Sequence, residues 1–277
     1  MACQASIAAL ILALPLLAQL PMEPAHTAGR SVTGAFEGWF RNPDGTATLV
    51  LGYFNRNLTQ EIEIPVGDDN RIEPGGPDRG QPTRFLPGRQ WAVFTIQIPK
   101  NEDAKLTWTL RANGKTTSIP LKLDPLWMLS PYRDASNNTP PYISFEAGHL
   151  GSQGPPIGVL KSYTAEAGKP LEIQVWVADD ARVGMSPSVL QRTTPAVTLK
   201  WITFRGPSKA DFSPARPTIE IMDPPAELKF AGTAKTLATF PRPGEYLIEL
   251  IANDWSGEGG SGFQCCWSTA QVRVVVR

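Results

Sequence analysis

Histidine is nearly absent from this chain: the 277 residues hold two, His26 and His149. Cysteine is almost as scarce, with three. Those shortages exclude zinc centres built from His and Cys at regular spacing, and no C-x-x-C pair exists. Neither sign of charge dominates, since 26 Lys and Arg balance 26 Asp and Glu. No bulk field therefore draws the chain to nucleic acid or to an anionic membrane. There is no G-x-S-x-G elbow, no H-E-x-x-H and no phosphate-binding P-loop. "PGGPDRGQP" is glycine-rich but opens no helix, so it does not make a phosphate cradle. Carboxylate pairs occur, but no pattern sets two of them across a cleft with opposed proton affinities.

Long apolar runs are missing too, apart from one at the start. Ser6 to Leu20 carries no charge. It is too short for a comfortable membrane span and reads as the apolar region of a signal peptide over residues 1–28. A basic segment before it is lacking, and the candidate cleavage points, after Ala18 and after Ala28, are not clean small-residue sites. A short N-terminal anchor helix is the competing reading. Cys3 precedes the run and is not placed as a lipid-anchor cysteine. The expected mature chain has no membrane span and is secreted or periplasmic.

Proline (27) and glycine (24) are plentiful, and they punctuate the chain at short intervals, as in turn-rich β-proteins. "GAFEGWF", the turn "NPDG" and "TATLVLGYF" begin a strand rhythm. In "WAVFTIQIP", Phe94, Ile96 and Ile98 share one face with period two. "KLTWTLRANGKTTSIPLKL" is a hairpin about Asn113-Gly114, the type I′ signal. Arg79, Arg84 and Arg89 are expected to brace the long polar loop around them by bonding carbonyls and carboxylates; the competing reading is an anionic ligand. No amphipathic helix pattern interrupts this half. A proline- and glycine-rich stretch then reads as linker or inter-domain packing, 126–158. Formal glycosylation sequons stand at Asn57 in the first half and at Asn137 in this stretch. The rhythm restarts in "PLEIQVWVADD", "AVTLKWITFRGP" with Trp201 in a central strand, "RPGEYLIELIAND" and "AQVRVVV". The expected architecture is all-β: two Ig-like antiparallel β-sandwich domains in tandem, at 31–125 and 159–277.

The stretch "TFPRPGEYLIELIANDWSG" followed by a Val-rich strand resembles PKD-type and related immunoglobulin-like modules of exported bacterial proteins. The resemblance covers about Tyr163 to Arg277. It departs in the loop carrying the cysteines and in the insert from Ala181 to Pro195. The first half is similar to uncharacterised exported bacterial proteins, which implies no activity. By analogy with a tyrosine corner, Tyr246 is expected to place its ring in the core and its hydroxyl on backbone.

In such a sandwich the strands Leu171–Val177 and Tyr246–Ala252 run the same way. Their ends bring Asp179, Asp180 and Asp254 together at one loop-rich end. The last inter-strand loop, Trp255 to Thr269, lies there as well, with Cys265, Cys266, Trp255 and Trp267. Trp255 and Trp267 make it a candidate binding loop. The aspartates suit a calcium ion, a hard cation that wants several oxygens, with Glu166 or backbone carbonyls completing the shell. The competing reading is that Asp179 and Asp254 cap turns. No cofactor is expected beyond a calcium ion at these aspartates. The cysteines have four readings: a vicinal disulfide, burial as small apolar groups, a soft-metal thiolate site, or a bridge between chains.

These residues favour an exported, non-enzymatic binding or structural module. Adhesion, scaffolding or docking to another exported or cell-surface protein or glycan would suit it. The alternative is an accessory ligand- or metal-binding protein using the Asp179–Asp254 end. A hydrolase would need a carboxylate site that the sequence does not display.

Overall fold

The computed structural model describes residues 26–103, 105–182, 196–254 and 265–277, and over them the chain is all-β. In the first domain, β1 (Val32–Arg41), β2 (Ala47–Asn55) and β6 (Gly88–Ile98) form one antiparallel sheet. The second sheet is β4 (Asn70–Glu73), β7 (Leu106–Ala112) and β8 (Lys115–Leu121). A short pair, β3 (Ile62–Glu63) and β5 (Arg84–Phe85), lies beside them. Alternation decides what faces inward: Leu49, Leu51, Tyr53, Phe94, Ile96, Trp108 and Leu110 share one core. The β7–β8 hairpin turns on Asn113 and Gly114, both at positive φ (48° and 75°), with Ala112 opposite Lys115. That is the two-residue turn whose twist matches the strands. Arg79 donates to the Pro74 carbonyl, Arg84 pairs with Glu61 and Glu63, and Arg89 pairs with Glu37. The arginines thus tie down the long loop. Asn57 is buried and donates to the Arg30 carbonyl and to Asn55, so its side chain is committed inside the fold.

His26 and Thr27 lie against this domain, accepting backbone bonds from Leu58 and Thr59. A cut after Ala18 would retain that contact and a cut after Ala28 would remove it. Residues 1–25, with Cys3 and most of the proposed signal peptide, fall outside the described residues. Among the described residues no helix is long and apolar enough to cross a membrane.

The stretch 126–158 does more than link. Its β9 (Tyr142–Ser144) and β10 (Ser152–Gln153) join the sheet of the second domain, ahead of residue 159. That sheet continues through β12 (Pro170–Asp179), β16 (Phe230–Thr239) and the short edge strands β14 (Asp211–Ser213) and β15 (Glu220–Met222). The facing sheet is β11 (Val159–Ala165), β18 (Trp267–Val276), β17 (Gly244–Asn253) and β13 (Thr198–Arg205). One ladder departs from an antiparallel scheme, for β11 runs parallel to β18. Between the sheets lie Ile173, Val175, Val177, Trp201, Tyr246, Ile248, Leu250 and Val272. Trp201 stacks on Phe212 at 5.9 Å between ring centroids. The Tyr246 ring is fully buried, and its hydroxyl donates to the Arg242 carbonyl at 2.9 Å and lies 2.7 Å from Ser208 Oγ.

The two sandwiches meet along the outer face of the β17–β18–β13 sheet. Phe204 belongs by sequence to β13, yet it packs into the core of the first domain. Its carbonyl accepts from Thr83 N–H at 3.3 Å. Arg205 beside it clasps Asp78 with both terminal nitrogens, at 3.0 and 2.8 Å. A second apolar contact gathers Trp267 with Phe40, Val50, Ala92 and Leu129, and Ile251 packs against it. Glu249, 1% exposed, faces this seam rather than water and accepts from Gln271 Nε2 at 2.9 Å. Its other oxygen has no partner, and burial pushes its pKa up to about 8.

Removing a buried ring leaves a cavity in addition to the lost transfer energy. Phe204→Ala is expected to cost about 3–5 kcal/mol. Because that ring sits in the neighbouring core, tryptophan fluorescence and far-ultraviolet circular dichroism should report one shared urea transition; two separate transitions would refute the coupling. Glu249 supplies a pH signature. Its folded pKa lies above the unfolded value, so the folded state holds its proton more tightly. That contribution is complete below about pH 4.5 and is lost as the pH rises towards about 8. Glu249→Gln should flatten that fall and raise stability at pH 8 by on the order of 2 kcal/mol, measured by urea unfolding at pH 5 and pH 8.

Candidate functional site

Period two carries two aspartates into the mouth of the second sandwich. Asp179 continues the inward series Ile173, Val175, Val177 on β12. Asp254 follows β17 on the inward series Tyr246, Ile248, Leu250, Ala252. Both side chains are 1% exposed. Asp179 Oδ2 accepts from Ala181 N–H at 2.7 Å, an Asx-type turn. Its Oδ1 is buried with no hydrogen-bond partner. Burial, with Asp180 and Asp254 adding repulsion, raises the Asp179 pKa to about 8.

Asp180 is turned elsewhere. It accepts from the Thr139 N–H and hydroxyl at 3.2 and 3.0 Å and from Arg182 N–H at 2.9 Å, with the Arg182 guanidinium 3.7 Å away. Among the described residues no three His, Cys, Asp or Glu side chains cluster closely enough to hold a metal ion. The three aspartates expected as a set are therefore not one. Successive residues at a strand end diverge, so Asp180 leaves the inward row that Asp179 occupies. Glu166 is removed altogether. It pairs with Lys169 at 2.6 Å, at the far end of β12. Ten residues at about 3.3 Å each put that end roughly 30 Å away.

Asn138, which sequence reading left inside a formal sequon, completes the mouth. It is 1% exposed, donates from Nδ2 to Asp254 Oδ2 and leaves Oδ1 buried without a partner. A buried amide oxygen beside a carboxylate has no sequence signature of its own. The one hint was an Asn-rich turn, "DASNNTP", whose Asp134 carboxylate receives the Ser136 and Asn138 N–H groups.

The cysteines lie at the same mouth. Cys265 and Cys266 are 4% and 1% exposed, precede β18 and place their sulfurs 3.8 and 3.4 Å from the Asn138 carbonyl oxygen. The sulfurs approach one another to bonding distance across a cis peptide. Trp267 lies in the seam with the first domain, so its ring is an inter-domain contact and not part of an open binding loop. Trp255 is outside the described residues. His149 is exposed, on the rim of a groove across the outer face of β12 and β16. The groove holds about 250 Å³ and is walled by Leu150, Trp176 and Met222, with His149 and Asp223 at its edge.

Searched against protein-family models, the chain matches none, and no curated protein sequence matches it. Solved structures resemble it weakly. A protein of unknown function from Porphyromonas gingivalis W83 shares 12% identity, over 88% of this chain and 99% of that one, at a TM-score of 0.23. The D00–D0 domain of intimin shares 13%, over 89% and 100%, at 0.26. Domains 4 and 5 of the S-layer protein SbsC share 10%, over 89% and 98%, at 0.22. At such scores no function passes from them to this chain.

The cysteine geometry has a measurable consequence. Protein purified from its native compartment is expected to weigh two hydrogens less than the dithiol and to resist alkylation when denatured. No chain lies between the two residues, so cross-linking removes little unfolded-state entropy, and full reduction should leave the melting temperature nearly unchanged. Two alkylated thiols would leave the pair as buried apolar groups, and a covalent dimer on a non-reducing gel would make it intermolecular.

Proposed function

We propose that this protein is an exported, non-enzymatic module that docks another exported or cell-surface protein, with its second domain as a PKD-type sandwich. The observation that carries the reading is the outer face of β12 and β16. One sheet of the second domain is covered by the first domain. The other turns an aromatic floor and exposed apolar side chains outward, with Leu150 43%, Met222 46% and Ile221 72% exposed. Exposed apolar groups around a concave aromatic floor favour contact with a partner over contact with water. The packed seam supports the same reading, because a docking face held by inter-domain contacts has less entropy to lose on binding. "PRPGEYLIELIAND", with Tyr246 holding Arg242, supports the PKD-type assignment of this domain. The apolar run before His26 supports export.

Binding of the purified protein to cell-envelope proteins and to a glycan array tests this. Retention of a defined envelope protein is expected, and it should fall at least tenfold in Trp176→Ala and Met222→Asp while the melting temperature changes little. Retention on glycans alone would move the partner to carbohydrate. Retention that both variants keep would refute the face as the docking site.

A further inference from the structure

We propose that the groove on the outer face of β12 and β16 receives an arginine side chain from the docked partner protein, laid over the ring of Trp176 and paired with Asp223. The inference deepens the docking reading and rests on it. Each exposed aromatic ring among the described residues has a partner within the chain. Arg89 lies 3.9 Å from the ring centre of Trp91, and Arg56 lies 5.1 Å from that of Phe54. Trp127 leans on Phe36 at 5.8 Å between centroids, and Tyr132 on Phe40 at 5.5 Å. Trp176 differs. It is half-buried in the groove, and among the described residues no ring and no cation stacks on it. No lysine or arginine lines the groove, whose lining holds one carboxylate, Asp223. That carboxylate is exposed and has no ion pair or hydrogen bond among the described residues, and the same holds for Glu220 and Glu227 in the stretch that forms this wall. Neighbouring bases are already matched or stand apart: Lys235 pairs with Glu172 at 3.0 Å, Lys161 pairs with Glu146 at 3.5 Å, and Lys229 does not line the groove. An aromatic floor, aliphatic walls at Leu150 and Met222 and an acidic edge fit a ligand that is apolar along its length and cationic at its tip. A guanidinium on its carbon stem has that form. The stem packs on the aliphatic walls, the flat cation stacks on the indole, and its N–H groups reach the carboxylate. A purely apolar segment would leave Asp223 without a counter-charge, and an acidic one would be repelled. The space of about 250 Å³ suits one long side chain.

Three fluorescein-labelled peptides of serine and threonine around a central Leu-X-Leu test this on the full-length protein. X is arginine, its uncharged isostere citrulline, or glutamate. By fluorescence anisotropy the arginine peptide is expected to bind about five- to tenfold more tightly than the citrulline peptide, the scale of one exposed cation–π contact with one exposed ion pair. The glutamate peptide should bind more weakly still. Salt at about 0.5 M should remove most of that margin. Asp223→Asn should at least halve it and leave the affinity for the citrulline peptide unchanged. Asp103→Asn, at an exposed acid of the first domain, should change neither. Trp176→Ala should weaken both peptides, and the exposed Asp223 carries the test should that variant fold poorly. Equal affinity for the arginine and citrulline peptides, or no binding of the arginine peptide, would overturn the proposal. So would a margin that Asp223→Asn leaves intact. Failure of the docking face itself has a different signature. If Trp176→Ala and Met222→Asp lower retention of the envelope protein while the peptides show no preference for charge, the face stands and the arginine does not. If both variants keep that retention, the face falls and this inference with it.

Discussion

Phe204 is the pin on which the arrangement of this molecule depends. A side chain supplied by one sandwich fills the core of the other, so the first core is not complete alone. Once that ring is seated, the outer face of β17 and β18 must lie against the first domain; Trp267, Glu249 and Gln271 are buried and Ile251 partly buried as a consequence. The hydrophobic contacts at Phe204 and Trp267 favour closure, while the carboxyl of Glu249 resists it by being taken from water with one oxygen unmatched. Arg205, clasped to Asp78 at the rim, sets direction more than strength, since half-exposed ion pairs contribute little. The net result is a two-domain body with one sheet face spent on its own interior and one turned to solvent.

Much of the fold was legible because strands write their burial with period two. Leu171 to Val177 and Tyr246 to Ala252 announced a sandwich, and Asn113-Gly114 announced a hairpin, because those signals are local. The seam was not legible for the same reason. Phe204 and Glu249 occupy positions that alternation assigns to the outer face, where an isolated domain would meet water. Only the arrival of a second domain, a contact between residues more than a hundred apart, reverses their environment. The 126–158 segment was obscure in a different way. A three-residue strand such as Tyr142–Ser144 is too short to show a period, and its pairing with Trp176–Ala178 is long-range.

The loop end was half legible. Topology alone placed Asp179 and Asp254 at one end, since two strands that run the same way in facing sheets must finish together. The distinction between Asp179 and Asp180 needed side-chain direction, which flips between neighbours. Asn138 needed the path of a connecting segment that carries no periodicity at all. Cysteines at this end are shielded from solvent by that same segment, whose carbonyl at Asn138 lies over both sulfurs. Their chemistry is therefore tied to the mouth of the sandwich and not to its surface.

The parallel ladder between β11 and β18 has a mechanical meaning. β11 leaves the side of the molecule where the first domain enters, and β18 runs beside it in the same direction from Trp267 to Val276. A tensile load applied between the first domain and the far end of β18 would pull these two strands in opposite senses along their axes. Every rung from Val159 to Ala165 would then carry the load together, in shear, instead of opening one after another as in a peeled hairpin. Resistance to such a pull is governed by the height of the unfolding barrier and not by equilibrium stability. A domain only modestly stable at rest can for that reason hold firm under a brief tug.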